Sequence, residues 1–443
     1  MDRAAALASI VAFLELFRQC FTAPAFIHFQ QFALTFWLGE GRRTGTAVWR
    51  ASAQARHFSC FHRFLVTYRW SPEALGRRLL EVVLAQLGLA DRTEGKLVLT
   101  IAADDTLTRK FGRRLEGSGW QHDAMAPNPK APLAFGQCFV VLGLLAATGG
   151  RWRCFPFAAW LFRPEQSAGA PHTHETKLAL LARRLAGWKL PASWRLRVVA
   201  DTAYGKRSLA EALWELNYWL ISRLPSNAVV FELPPPGEPG PRRRGAPRRY
   251  GEKRRLGHFA ALAAAAAVTT QRLYGQAWQV RLYAQRVVSK ALGGQEILLV
   301  TVIRIGKGGQ ENRPVYLFST DLALTAAEVV ALYAARFAIE LAFRELKNHF
   351  GFGHCQARRA GAAERHVQLC LVAYTGSQLY AATAAPAGRA EPWRPAPEIA
   401  TTGQLRRAAQ QERQAQITIE ICAKHGIPRK IQQAVYADLL RAA

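Results

Sequence analysis

Through the first 92 residues apolar side chains recur at three- and four-residue spacing, and from Lys96 onward they gather into short continuous runs. The first pattern predicts helices separated by brief breaks, with a loop at 39–45 and a helix opening at Ser71-Pro72-Glu73. There serine can cap, proline suits the first turn, and the acid favours the positive end of the helix dipole. The second pattern predicts strands at 97–103, 135–147 and 152–162. A helix at 175–188, a strand at 196–200, a helix at 208–216 and a strand at 218–222 follow.

Three strands followed by alternating helix and strand is the order of an RNase H-like domain, an α/β fold with a mixed sheet flanked by helices. That topology sets the ends of the first and fourth strands side by side. Pro234, Pro235, Pro236, Pro239 and Pro241 then interrupt the pattern and lead into Arg242, Arg243, Arg244, Arg248, Arg249, Lys253, Arg254 and Arg255. Such a stretch has too little apolar surface for a core and reads as a mobile basic loop. Strand-like runs at 277–287, 296–305 and 313–318 make the surrounding segment a β-rich insertion. An amphipathic helix at 327–350, another at 364–384, a proline-rich break at 386–397 and basic helices from 402 complete the chain. The expected organisation is a helical N-terminal region (1–92), the first part of the core (93–223), the insertion (224–324), the last part of the core (325–385) and a basic helical tail (386–443).

Half of the 443 residues are hydrophobic, enough for a substantial core and more than one domain. Lysine and arginine number 59 against 31 acids, a formal charge of +28, which calls for a polyanionic partner, nucleic acid first. Seven scattered cysteines with no Cys-x2-Cys pair look like reduced thiols of a cytoplasmic protein. Apolar runs such as 139–147 and 260–268 fall well short of the ~20 residues that span a bilayer, and the N-terminus lacks the features of a signal peptide.

Charge then acquires chemistry at three places. Tyr333, Arg336, Glu340 and Lys347 share one helix face, within roughly 60° of arc at about 100° per residue. A carboxylate beside two cations and a phenol suits a metal ion and a phosphate. The apolar run before Asp104-Asp105-Thr106 presents two carboxylates on a rigid strand; adjacent residues face opposite sides, so either is a candidate ligand. Val198 and Val199 lead into Asp201-Thr202-Ala203-Tyr204-Gly205, a second strand ending in an aspartate and a turn.

The spacing Tyr-x2-Arg-x3-Glu-x6-Lys, with Asp-x-Thr at Asp104 and Asp-x2-Tyr-Gly at Asp201, resembles the bacterial insertion-sequence transposases that use an Asp, Asp, Glu triad. The resemblance implies Asp104, Asp201 and Glu340 as catalytic metal ligands, with Asp105 the alternative to Asp104. Hard oxygen donors without a Cys or His cluster favour Mg²⁺, with Mn²⁺ as substitute, and two ions suit in-line displacement at phosphorus. Tyr333, Arg336 and Lys347 are then expected at phosphate oxygens and the Arg242 to Arg255 cations along the DNA backbone. Trp278 is a candidate for stacking on a flipped base or, more simply, a core residue. The implied partners are double-stranded DNA, as terminal inverted repeats and target, and a second copy of the chain in a paired-end homodimer, in the bacterial cytoplasm and on the nucleoid. A nuclease of the same fold that does not integrate, or a domesticated DNA-binding protein, are the rival expectations.

Overall fold

Runs of Val, Leu, Ile and Phe that leave no polar face need cover on both sides, and a central sheet with helices packed on it supplies that cover. The computed structural model describes residues 5–52, 56–89, 97–123, 132–167, 173–188, 190–191, 193–234, 249–306, 308–384 and 400–441. Five helices come first: α1 (Ala5–Glu15), α2 (Ala23–Leu38), α3 (Gly45–Ala51), α4 (Phe58–Val66) and α5 (Pro72–Gln86). Ser71 caps α5 by accepting from the Ala74 amide, and Pro72 lies in its first turn, as the sequence predicts.

The core strands are β1 (Leu97–Arg109), β2 (Gly119–His122), β3 (Leu133–Thr148) and β4 (Arg151–Phe162). They are followed by α6 (Lys177–Ala186), β5 (Trp194–Ala200), α7 (Arg207–Glu215) and β6 (Trp219–Leu224). β3 lies antiparallel between β1 and β4, while β1, β5 and β6 run parallel. The order β4-β3-β1-β5-β6 makes this an RNase H-like α/β fold.

The next segment holds β7 (Val229–Phe231), β8 (Lys253–Arg255), α8 (Leu256–Ala264), β9 (Val268–Leu273), β10 (Gln276–Ser289), β11 (Gln295–Arg304) and β12 (Val315–Ser319). Its strands carry on from β6 in the order β12-β11-β10-β7-β8, all antiparallel, so one twelve-stranded sheet runs across the described residues. Lys253, Arg254 and Arg255 were expected in a mobile loop; they form the outermost strand of this sheet, where charged side chains protect an unpaired edge. Arg242, Arg243, Arg244 and Arg248 lie outside the described residues.

α9 (Ala326–Ala335), α10 (Phe337–His349), α11 (Ala360–Thr383), α12 (Thr402–Lys424) and α13 (Arg429–Arg441) close the chain. The single helix expected over 327–350 is two helices joined at Arg336. The Arg336 backbone stays right-handed helical, at φ −50° and ψ −35°, and its carbonyl accepts from Ile339 at 2.9 Å, a tightened three-residue turn. α10 is seated by Ile339, Ala342, Phe343 and Leu346, all buried. At about 1.5–3 kcal/mol for each buried large side chain, this apolar face outweighs any one ion pair on the opposite side. α11 is buried along most of its length against β4, α2, α4 and α5. Among the described residues no helix is long and apolar enough to cross a membrane.

Candidate active site

β1 and β5 pair in parallel as far as Ala103 and Ala200, so Asp104 and Asp201 are the next residues on two neighbouring strands. β1 does not stop there. It runs on to Arg109, with Asp104 opposite Val141 of β3, so the Asp104–Asp105 pair is held inside a strand rather than at its end.

Alternation along β1 sends the two aspartates to different surroundings. Asp104 meets Arg336, whose Nη1 donates to Asp104 Oδ2 at 3.2 Å while Nη2 donates to Glu340 Oε1 at 2.9 Å. Arg336 and Asp104 are 13% and 16% exposed and Glu340 is 42% exposed, so the ion pairs lie at the mouth of a recess. Burial pushes the Asp104 carboxyl up to about 7. Arg336 and the Asp105 amide oppose that rise, while the negative charges of Asp201 and Asp105 add to it. Asp105 instead accepts from the Tyr204 hydroxyl at 3.0 Å, Lys177 Nζ at 2.5 Å and the Cys138 thiol at 3.1 Å. One aspartate therefore faces the recess, and the other ties β1 to β3, α6 and the turn after β5.

That turn fixes Asp201. Asp201 Oδ1 accepts from the amides of Ala203 at 2.9 Å and Tyr204 at 3.3 Å, a local cap that orients the carboxylate. The Ser222 hydroxyl donates to the Asp201 carbonyl at 2.7 Å. Gly205 passes so close that a β-carbon there would lie 2.7 Å from Ser222 Oγ, which accounts for glycine in the Tyr-Gly pair. Sequence patterns single out the turn but not Lys177 or Cys138; they lie 72 and 33 residues from Asp105 and belong to no motif.

The remaining residues of the signature spread outward from Arg336. Tyr333 is partly buried. Burial raises its pKa against the nearby Arg336 and Arg223 charges, with Asp201 and Tyr274 adding to the rise. Lys347 is partly buried, near Asp123 and Arg109. Burial lowers its pKa, opposed first by Asp123, which also pairs with Arg109 at 2.7 Å. Arg223, Tyr274, Trp278, Arg304, Arg313 and Tyr333 help line a cavity of about 290 Å³ beside the acids. The Arg304 guanidinium lies 3.5 Å from the Trp278 ring centroid, so one indole face already carries a cation. Of the basic stretch, Arg254 is paired with Glu232 at 2.8 Å and Glu252 at 2.6 Å. Arg249, Lys253 and Arg255 form no ion pair among the described residues.

Three carboxylates with no thiolate or imidazole beside them are a donor set suited to a hard divalent cation, whose charge would offset the burial and the Asp201 and Asp105 charges that raise Asp104. No three His, Cys, Asp or Glu side chains among the described residues stand close enough to hold a metal as they are. The space between Asp104 and Glu340 is taken by the Arg336 fork. The residues fit the ion in chemistry and would close on it only with Arg336 displaced.

An RNase H-like sheet whose two adjacent central strands lead into aspartates just past their last paired residues, faced by a glutamate on a helix, defines a nuclease-type α/β protein. The family model of the DDE superfamily endonucleases matches residues 16–286, and the chain belongs to that family. The family acts on DNA and generally uses divalent metal ions. The match includes Asp104 and Asp201 and ends before Glu340, so the third acid rests on spacing and geometry alone. No curated protein matches the chain.

Proposed function

We propose that this protein is a DNA transposase that cleaves at the ends of a mobile element and joins the freed 3′ hydroxyl to target DNA, by the cut-and-paste route. What supports this reading above all is that Arg336 draws Asp104 and Glu340, 236 residues apart, to one guanidinium beside Asp201. Asp104, Asp201 and Glu340 would hold Mg²⁺, or Mn²⁺ in its place, as two ions. Ions held there stabilise charge on the attacking and leaving oxygens of an in-line displacement at phosphorus.

The chain's own groups do the rest. Asp201 is oriented by the amides of its turn, and Asp104 by the strand and the Asp105 amide, which donates to Asp104 Oδ1 at 2.8 Å. Arg336 supplies a planar fork that a phosphate can take over from the carboxylates, and Tyr333 and Lys347 reach neighbouring phosphate oxygens. A flipped base at Trp278 would use the indole face away from Arg304 or replace the guanidinium. The helical segments at 1–92 and 386–443 and the basic part of 224–324 serve as DNA-binding regions around the core. Two copies bring paired ends together, in the bacterial cytoplasm.

The direct test supplies the full chain with Mg²⁺ or Mn²⁺ and with DNA bearing the inverted repeats that flank its reading frame. Transposition predicts nicked ends and covalently joined products. Cleavage without joining marks a nuclease of the same fold, and binding without either marks a domesticated DNA-binding protein.

A second expectation concerns affinity. Arg249, Lys253 and Arg255 are cations with no acidic partner among the described residues, so replacing all three with alanine should weaken binding to every DNA sequence alike. Removing one phosphate-neutralising charge lowers the slope of log K against log salt by about 0.9, giving a fall approaching 3 in salt-titrated anisotropy. An unaltered slope would remove these residues from the DNA path.

A further inference from the structure

Beyond the acids, β1 leads into a surface that the cleavage chemistry does not use. Phe111, two residues past the strand, is 99% exposed, and Trp120 on β2 is 67% exposed. With Lys110, Arg113 and Phe135 they line an open depression of about 550 Å³. Arg113 and Arg114 are exposed and form no ion pair among the described residues.

The exposure of these rings is built in. The Lys110 ammonium donates to the carbonyls of Gly353 and Cys355 at 2.8 Å each, fastening the start of the loop to the chain just after α10. At the far side the Glu116 amide donates to the Arg358 carbonyl at 2.9 Å, and Glu116 Oε2 accepts from the Ala360 amide at 2.9 Å. Phe135 meets Trp120 edge-on at 5.8 Å and steadies the indole. A loop pinned at both ends to the segment behind the Glu340 helix holds Phe111 and two arginines toward solvent, beside Trp120 on β2.

We propose that this face binds DNA whose bases are unpaired or unstacked, with Phe111 and Trp120 as stacking platforms and Arg113 and Arg114 on the flanking phosphates. The proposal rests on the nuclease reading above and adds to it a second contact for the same substrate. Aromatic faces among cations are the chemistry of single-stranded nucleic-acid binding, because every base offers a ring face and the backbone offers negative charge. A second copy of the chain suits the face poorly, since Arg113 and Arg114 would meet the same two cations of the other copy. Phe111 lies seven residues beyond Asp104, about 23 Å away at most if the chain is fully extended, so one DNA strand could reach both. Intact duplex keeps its bases stacked on one another, so the face selects a distorted or opened segment.

The test uses the full chain without divalent ions, with two probes of equal length. One is a complete duplex, and the other carries a central unpaired stretch containing 2-aminopurine. Wild type should prefer the opened probe and quench its fluorescence. Phe111→Ala and Trp120→Ala should each lower affinity for the opened probe by about tenfold and leave duplex affinity unchanged, while Phe111→Tyr should restore the preference. Equal affinity of wild type and variants for the opened probe overturns the proposal. So does an equal loss on both probes, or a Phe111→Ala chain that turns from dimer to monomer in light scattering. No bond is cut in this assay, so its outcome does not depend on the catalytic acids. Failure of the nuclease reading would appear in cleavage, and failure of the stacking face in affinity.

Discussion

Asp104→Asn is expected to lower divalent-ion-dependent cleavage by about a thousandfold or more, equivalent to about 4 kcal/mol of barrier, while DNA affinity without divalent ions changes little. Asparagine keeps the volume and removes the charge from the one aspartate of the doublet that faces Arg336 and Glu340. Asp201→Asn and Glu340→Gln should behave alike, because each removes one carboxylate from the same recess. Asp105→Asn should behave differently. Its carboxylate accepts from Lys177, Tyr204 and Cys138, so its loss leaves a half-buried ammonium facing a neutral amide. The cost falls on stability, about 1–3 kcal/mol for a charge-assisted hydrogen bond, with cleavage reduced only as far as β1 shifts. Denaturant midpoints and single-turnover cleavage, measured on both variants, separate the two roles. If Asp105→Asn removed cleavage as fully as Asp104→Asn at an unchanged midpoint, the ligand assignment within the doublet would be reversed.

The contrast between the two aspartates also marks what was legible in the sequence. Apolar runs placed the strands before Asp104 and Asp201, because a strand buried on both faces must be apolar throughout. The spacing around Glu340 put forward the third acid, and Arg336 holds that glutamate beside Asp104; the family match stops before it. The course of β1 beyond Asp104 was not legible. Asp, Asp, Thr and Arg are poor signals for a strand, and it is pairing with β3, together with the partners of Asp105, that keeps these residues extended. For the same reason β8 escaped detection: a Lys-Arg-Arg tripeptide becomes a strand only because Val229–Phe231 lies beside it. The alternatives at Asp104 and Asp105 stayed open because a period of two puts the residues on opposite faces without saying which face is which. Lys177, from a distant helix, distinguishes the faces, and nothing near it in the sequence announces that.

Arg336→Gln should give the opposite signature in the presence and absence of divalent ions. In the resting chain the guanidinium, only 13% exposed, pairs with both Asp104 and Glu340, and its fork and stem are packed beside Tyr333. Removing it leaves Asp104 largely buried near Asp201 with no cation at hand; its carboxyl, already raised to about 7, then holds a proton at neutral pH, so the loss is that of the charge-assisted hydrogen bonds, about 1–3 kcal/mol. The same change frees the space between the carboxylates. Mn²⁺ should therefore stabilise the variant more than the wild type, in which the ion must first displace the guanidinium. A site filled at about 100 times its dissociation constant adds about 2.7 kcal/mol, which would recover most of the loss. Cleavage should nonetheless remain low, since no fork is left to hold a phosphate oxygen. Arg336→Lys should fall between the two, keeping a charge and giving up the two-pronged geometry. The measurement is the denaturant midpoint of each chain with and without Mn²⁺, alongside metal affinity by calorimetry. Equal Mn²⁺ stabilisation of wild type and Arg336→Gln would mean that the guanidinium does not stand between the acids in solution. In that case Arg336 serves the phosphate alone and the acids are free to close without it.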